Sequence, residues 1–63
     1  MSYAESFLST CDAEGLAPLW AIKQIFAEHS NDATESISEY CAHCRATSQT
    51  WDYGKTILEW LGY

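Results

Sequence analysis

Hydrophobic residues recur along this chain at the three- and four-residue intervals of amphipathic helices. The clearest case is the segment from Asp32 to Arg45, DATESISEYCAHCR. At about 100° per residue, its apolar side chains gather on one side of a helix and its acids on nearly the opposite side. The apolar set is Ala33, Ile37, Tyr40, Cys41 and Cys44, and the acidic set is Asp32, Glu35 and Glu39. The pattern predicts a helix over 32–46 with one buried face and one face of carboxylates.

The first half of the chain predicts two more helices. Ser2 and Glu5 have the spacing of a capping box, which favours a helix start, and apolar positions then continue to residue 11. The turn after this 2–11 helix contains Gly15, which accepts backbone conformations that other residues resist. A second apolar stripe predicts a helix over 17–29.

The end of the chain predicts a fourth helix over 51–61, which Gly62 terminates. Gly54 falls inside this helix, where it costs about 1 kcal/mol relative to alanine, so we expect another element to cross closely there. No run of alternating polar and apolar residues is long enough to predict a strand. The predicted fold is therefore all-α, a single domain over 1–63 built as a compact bundle of four short helices.

Nine aromatic residues give this chain of 63 residues enough apolar surface for a core without a disulfide. The periodicity of the last helix turns Ile57 and Trp60 inward. Trp20 falls at the edge of the apolar arc of the second helix, where we expect it to cap the core, with exposure as the alternative. Trp20, Trp51 and Tyr63 are the candidates for exposed contact residues, because aromatic side chains concentrate binding energy at interfaces.

Charge is unevenly distributed. The chain has nine acids and three bases, a net charge of −6, and residues 1–40 contain seven of the acids with Lys23 as their only base. Such an imbalance repels phosphate backbones and anionic membranes and attracts basic surfaces. We therefore expect neither direct nucleic-acid binding nor membrane binding. The simpler interpretation of the charge is solubility.

The cysteines allow two interpretations. Cys41 and Cys44 have the spacing of a zinc-binding pair, and Cys11, His29 or His43 could supply the remaining ligands. However, both cysteines also occupy positions where the helical pattern calls for small apolar residues, and free cysteine often fills such positions. We favour thiols packed in the core, with no metal or cofactor, and keep zinc as the alternative.

No enzyme signature is present in the sequence. It has no nucleophile elbow, glycine-rich phosphate loop or zincin helix. Glu35 and Glu39 are predicted on a solvated face, away from a pocket that could change their acidity. An odd number of cysteines and a start without a secretory pattern predict reduced thiols and a cytoplasmic location. We expect a protein that is not an enzyme.

The acidic residues suggest a partner. Along an ideal helix, Asp32, Glu35 and Glu39 are separated by about 4.5 and 6 Å, slightly less than successive phosphates of a nucleic-acid strand. Three more acids could extend this row, namely Glu28, Asp12 and Glu14. In size and charge the chain resembles the small inhibitors that phages use against CRISPR effectors or restriction enzymes. The hypothesis is a nucleic-acid mimic that occupies a basic, nucleic-acid-binding surface of a larger protein.

The tail also resembles a known family. Tyr53 and Ile57 match the first part of the Tyr-x-x-x-Ile-x-x-x-Trp signature of DnaD-like replication domains, whereas Trp60 comes one position early. The resemblance covers about the last thirty residues and implies a helical replication accessory module. The basic residues expected of a DNA-remodelling domain are missing here, so this function stays an alternative beside an interaction module that uses exposed aromatics.

Overall fold

The computed structural model describes residues 2–63, so that Met1 of the predicted domain lies outside the described residues. Four helices follow one another along the chain: α1 (Tyr3–Leu8), α2 (Leu19–His29), α3 (Ala33–Thr47) and α4 (Gly54–Leu61). Over residues 2–63 there is no strand, and the only bridge pairs Leu16 with Tyr53. The predicted all-α bundle of four short helices is confirmed.

Three helix ends form where the residue types predicted them. The Ser2 hydroxyl oxygen accepts a hydrogen bond from the Glu5 backbone N–H at 3.2 Å, which caps α1. Asp32 caps α3 in the same way, because its Oδ1 accepts from the Glu35 N–H at 3.1 Å. Gly62 ends α4 with a φ of +95°, a left-handed conformation that glycine adopts without strain.

Two boundaries differ from the prediction by three residues, and α2 begins at Leu19, two residues after its predicted start. Helix α1 ends at Leu8, not at residue 11, because the backbone tightens into three-residue turns in which Thr10 and Cys11 donate to the carbonyls of Phe7 and Leu8. Helix α4 begins at Gly54, not at residue 51.

The late start of α4 has a tertiary cause. The Ala17 N–H donates to the Asp52 carbonyl at 2.8 Å, and the Gly54 N–H donates to the Gly15 carbonyl at 2.9 Å. These bonds pair the segment before α4 with the loop before α2. A turn over 50–53 that ends in the extended backbone of Tyr53 stands where the sequence pattern predicted helix. Hydrogen bonds to a segment distant in sequence therefore replace the first turn of the predicted helix.

The core draws on all four helices. Helix α2 packs against α3, and α1 packs against α4. The rings of Phe26 and Tyr40, both fully buried, lie 5.5 Å apart at the α2–α3 contact. The buried apolar residues are Phe7, Ala17, Ala21, Ile22, Ile25, Phe26, Tyr40, Cys44, Ile57 and Leu58.

Gly54 confirms the predicted close approach, although it stands at the first position of α4 and not in its interior. A Cβ atom on Gly54 would lie 2.8 Å from Cys11 Sγ and 3.2 Å from Leu8 Cδ2. Both distances are shorter than ordinary van der Waals contact, so the missing side chain lets the end of α1 lie directly on the start of α4.

The structure corrects the expected burial of two tryptophans. Trp20 is 61% exposed, so it stands out from α2 and does not cap the core. Trp60 is 40% exposed: one side of its ring covers Tyr40 and His43, and the rest faces solvent. The inward positions of the eight-residue α4 are occupied by Ile57 and Leu58, which leaves Trp60 at the rim of the core.

Candidate interaction surfaces

The acidic face of α3, defined by Asp32, Glu35 and Glu39, is exposed as predicted. Tyr40 and Cys44 on the other side of the same helix have exposed fractions of 0% and 1%. Burial of these two side chains determines how the helix is rotated about its axis. The carboxylates consequently point away from the core.

The acidic carboxylates differ in how freely they can meet a partner. One oxygen of Asp32 accepts the capping hydrogen bond from Glu35, so its position is restrained. Among the residues that the structure describes, no lysine or arginine nitrogen lies within 4.0 Å of any of the three carboxylates. The acidic face therefore keeps its negative charge without an internal counter-ion.

The structure separates the three acids that were expected to extend this face. Glu28 is exposed on the last turn of α2, just before the connection to α3. Asp12 instead organises the loop after α1: its Oδ1 accepts from the backbone N–H groups of Glu14 and Leu16 at 2.9 and 3.0 Å. Asp12 and Glu14 line a hollow at the start of α4 that also contains Lys55. Their charge belongs to the α1–α4 side of the molecule.

An apolar groove is the feature that the sequence analysis missed. It encloses about 540 Å³ between the start of α2, the side of α3 and the connection to α4. The groove is lined by Leu19, Ile37, Cys41, Cys44, Arg45, Gln49 and Trp51. Leu19 and Trp51 are 56% and 42% exposed, so two large apolar side chains form its outer walls. The exposed Trp51 was its only signal in the sequence.

The predicted zinc alternative does not fit the structure. Cys11 lies against Gly54, at the contact between α1 and α4, whereas Cys41 and Cys44 line the groove beside α3. His29 is engaged elsewhere, with its ring nitrogens bonded to the Ile25 carbonyl and the Tyr63 hydroxyl. Over residues 2–63, no three His, Cys, Asp or Glu side chains are placed to hold one metal ion. Cys41 and Cys44 thus lie together, while Cys11 and His29 lie in two other places.

Burial changes the acidity of two side chains. Desolvation raises the pKa of the Cys11 thiol, and the neighbouring Asp12 carboxylate adds to the rise. Desolvation also raises the pKa of the Tyr40 phenol well above its usual value, with a further contribution from the adjacent Cys44. The Tyr40 hydroxyl is buried without a hydrogen-bond partner. Such a group is costly to bury, which makes it a marker of either strain or function.

A second exposed cluster joins the two ends of the chain. His29 Nδ1 lies 2.8 Å from the Ile25 carbonyl oxygen, which can only accept, so Nδ1 carries the proton. In the neutral ring, Nε2 then accepts from the Tyr63 hydroxyl. Tyr3 stacks on Tyr63 with ring centroids 6.3 Å apart. These contacts hold Tyr63 against α1 and α2 while 53% of its surface stays exposed.

Comparison of the chain with protein families, with curated proteins and with solved structures found no match. No helix within residues 2–63 has the length and apolar character needed to span a membrane. Its function is therefore inferred from the acidic face, the apolar groove and the exposed aromatic side chains.

Proposed function

We propose that this protein inhibits a larger protein by placing the acidic face of α3 on a basic, nucleic-acid-binding surface. The observation that carries the proposal is the orientation of α3, which buries Tyr40 and Cys44 and exposes Asp32, Glu35 and Glu39. Carboxylates in a row along a rigid helix resemble the charge pattern of a phosphate backbone. A basic groove built for nucleic acid then accepts the helix in place of its substrate.

The rest of the molecule supports such a role. Because the helix is held by core contacts, the backbone that carries the carboxylates needs little further ordering on binding, which favours affinity. The net charge of −6 attracts a basic partner over a distance and accelerates encounter at low salt. The exposed Glu28, which lies four positions before Asp32 along the chain, adds to the negative charge near the start of α3.

In this proposal the protein acts by occupying a site and not by catalysis, and it needs no cofactor. It belongs functionally with the phage-type inhibitors of CRISPR effectors and restriction enzymes, and it works in the cytoplasm. It binds no nucleic acid itself, because its three bases cannot neutralise a run of phosphates.

A competition experiment tests the mimicry. The tagged protein is incubated with a nuclease-treated lysate of its source cells, and retained proteins are then eluted with duplex DNA or RNA. A mimic releases its partner when nucleic acid is added, because both compete for one basic site. Affinity should also fall steeply between low and physiological salt. Retention of the partner in excess nucleic acid contradicts the mimicry.

Two variants with the same net charge separate the acidic face from charge in general. Glu35→Lys with Glu39→Lys reverses two charges on the acidic face, and Glu5→Lys with Glu59→Lys reverses two exposed charges on α1 and α4. The first variant should lose the partner and the second should retain it. Equal loss in both variants would show that overall charge, and not this face, governs binding.

The exposed aromatics favour a second candidate function, an interaction module that docks through apolar contacts. Trp20, Trp51 and Tyr63 keep 61%, 42% and 53% of their surface exposed, which is consistent with contact residues at an interface. An aromatic anchor predicts binding that changes little with salt. Loss of the partner in Trp51→Ala, with retention in Glu35→Lys/Glu39→Lys, would favour this second candidate.

A further inference from the structure

Two cysteines of α3 line the apolar groove. Cys41 is half-buried and Cys44 is buried, both are free thiols, and both line the groove. Of the two residues, Cys41 is the more accessible to a small solute, because Cys44 lines the groove but is only 1% exposed. Cys44 also belongs to the core, whereas Cys41 is only half-buried, and the acidic face uses neither thiol.

The helix determines what this pair can do. Residues three apart on a helix have Cβ atoms about 5–6 Å apart. A disulfide requires a Cβ separation of about 3.5–4.5 Å, so Cys41 and Cys44 cannot form one while α3 stays regular. A single metal atom placed between the two sulfurs spans the longer separation.

The number of ligands identifies the class of metal. Zinc takes four ligands in structural sites, and over the described residues no third Cys, His, Asp or Glu completes a group with this pair. Thiolates prefer soft cations, among which Cu(I) is satisfied with two sulfur ligands. We propose that Cys41 and Cys44 bind one Cu(I) ion at the floor of the groove.

The unpartnered hydroxyl of Tyr40 supports this site independently. Tyr40 has an exposed fraction of 0%, its hydroxyl has no hydrogen-bond partner, and the group lies beside Cys44. A neutral thiol is a weak acceptor, which leaves this O–H poorly satisfied. A metal-bound thiolate is a stronger acceptor, so the Tyr40 O–H then donates to Cys44 sulfur as an outer-shell partner of the metal.

Binding involves no oxidation or reduction. Each thiol loses its proton to solvent, two S–H bonds are replaced by two Cu–S bonds, and copper stays in the +1 state. The resulting site, two thiolates and one monovalent cation, carries one negative charge. Arg45 lines the same groove, and its positive charge offsets that of the site.

The test transfers Cu(I) from a coloured bicinchoninate complex to the reduced, metal-free, full-length protein without oxygen. We expect one copper per chain by native mass spectrometry and a corresponding loss of probe colour. Cys41→Ser should abolish the transfer, and Cys11→Ser, which alters the thiol outside the groove, should leave it unchanged. Circular dichroism of each variant verifies that the helices are retained. One equivalent of Zn(II) should leave the transfer unchanged.

Tyr40→Phe tests the hydroxyl. It should keep the fold and the stoichiometry while lowering Cu(I) affinity about 10-fold, the effect expected from loss of an outer-shell hydrogen bond. Wild-type affinity in folded Cys41→Ser would overturn the site, as would equal loss in Cys11→Ser, two chains per copper, or displacement of copper by zinc. Unchanged affinity in Tyr40→Phe would overturn the role of the hydroxyl.

Discussion

The two helix pairs of this small protein are held together in different ways. Helices α2 and α3, with 11 and 15 residues, meet through large buried side chains such as Phe26 and Tyr40. Helices α1 and α4 have only 6 and 8 residues and meet where Gly54 lets Cys11 and Leu8 approach the backbone. One contact depends on buried volume, and the other depends on the absence of a side chain.

This difference matters for function because the acidic face and the apolar groove both lie on the α2–α3 side. Their geometry depends on the rotation of α3, which Tyr40 and Cys44 determine by being buried. The α1–α4 pair contributes by closing the core from the other side through Phe7, Ile57 and Leu58. We therefore expect the two pairs to respond differently to substitution.

The largest effect is expected at the α2–α3 contact. Phe26→Ala removes a fully buried ring and should lower the free energy of unfolding by about 3–5 kcal/mol. A chain of 63 residues has about 3–9 kcal/mol in total, so much of the population should unfold. Urea denaturation followed by circular dichroism measures the loss. Leu19→Ala, at a side chain 56% exposed, is the control and should change stability by less than about 0.5 kcal/mol.

A smaller destabilisation is expected at the α1–α4 contact, where the substitution adds an atom instead of removing a buried ring. Gly54→Ala adds a Cβ 2.8 Å from Cys11 Sγ and should destabilise the fold by about 1–2 kcal/mol through overpacking. Cys11→Ala removes the sulfur, so the double variant should recover part of the loss. A double-mutant cycle by urea denaturation detects this coupling. Simple additivity of the two substitutions would contradict the close contact.

Two aspartates that accept backbone hydrogen bonds, one in each helix pair, allow a matched test of the two pairs. Asp32→Ala removes the cap of α3, and Asp12→Ala removes the acceptor of two loop N–H groups next to α4. Each should lower stability by about 1 kcal/mol, measured as a fall in thermal midpoint. Glu35→Ala removes an exposed carboxylate that caps nothing, and it should change the midpoint little. A fall in Glu35→Ala as large as that in Asp32→Ala would argue against the capping role.

The smallest effect at neutral pH is expected at Tyr40. Tyr40→Phe removes a buried hydroxyl that has no partner, so stability should stay within about 0.5 kcal/mol of the wild type or increase. At high pH the two proteins should diverge. Burial raises the pKa of Tyr40 above its ordinary value of 10.0.

Below the ordinary pKa of 10.0, the Tyr40 phenol is neutral in both the folded and the unfolded state. As the pH rises above this pKa, only the unfolded state loses the proton, so the free energy of unfolding of the wild type falls. Denaturation between pH 9 and 11 should therefore show a steeper decline in the wild type than in Tyr40→Phe. Parallel declines would contradict the burial of this phenol.

The sequence was informative wherever local chemistry decides the structure. Helix caps at Ser2 and Asp32, the stop at Gly62, and the division of α3 into a buried and an acidic side follow from residue type and a period of 3.6. Each of these features depends on neighbours within about four positions, so the pattern contains the information needed. The close approach at Gly54 was also predictable from the sequence, because glycine destabilises a helix and therefore indicates that another element packs closely there.

Other features were decided by residues distant in sequence. Trp20 lies on the edge of an apolar arc, and only the packing of α2 within the folded molecule shows that its ring stays outside the core. The first turn of α4 was lost because Asp52 and Gly54 pair with the loop before α2. The apolar groove forms between Leu19 and Trp51, which are separated by about half of the chain, and periodicity within one helix cannot reveal such a space.

The sequence by itself thus determined the four helices, the fold class and the charge of each helix face, because these depend on side-chain period and on capping by near neighbours. Tertiary structure alone decided which aromatic rings stay exposed, where α4 begins, and that Cys41 and Cys44 share a groove while Cys11 and His29 lie elsewhere. The physical reason is that these features depend on how separate helices share a limited buried volume, which no local pattern encodes.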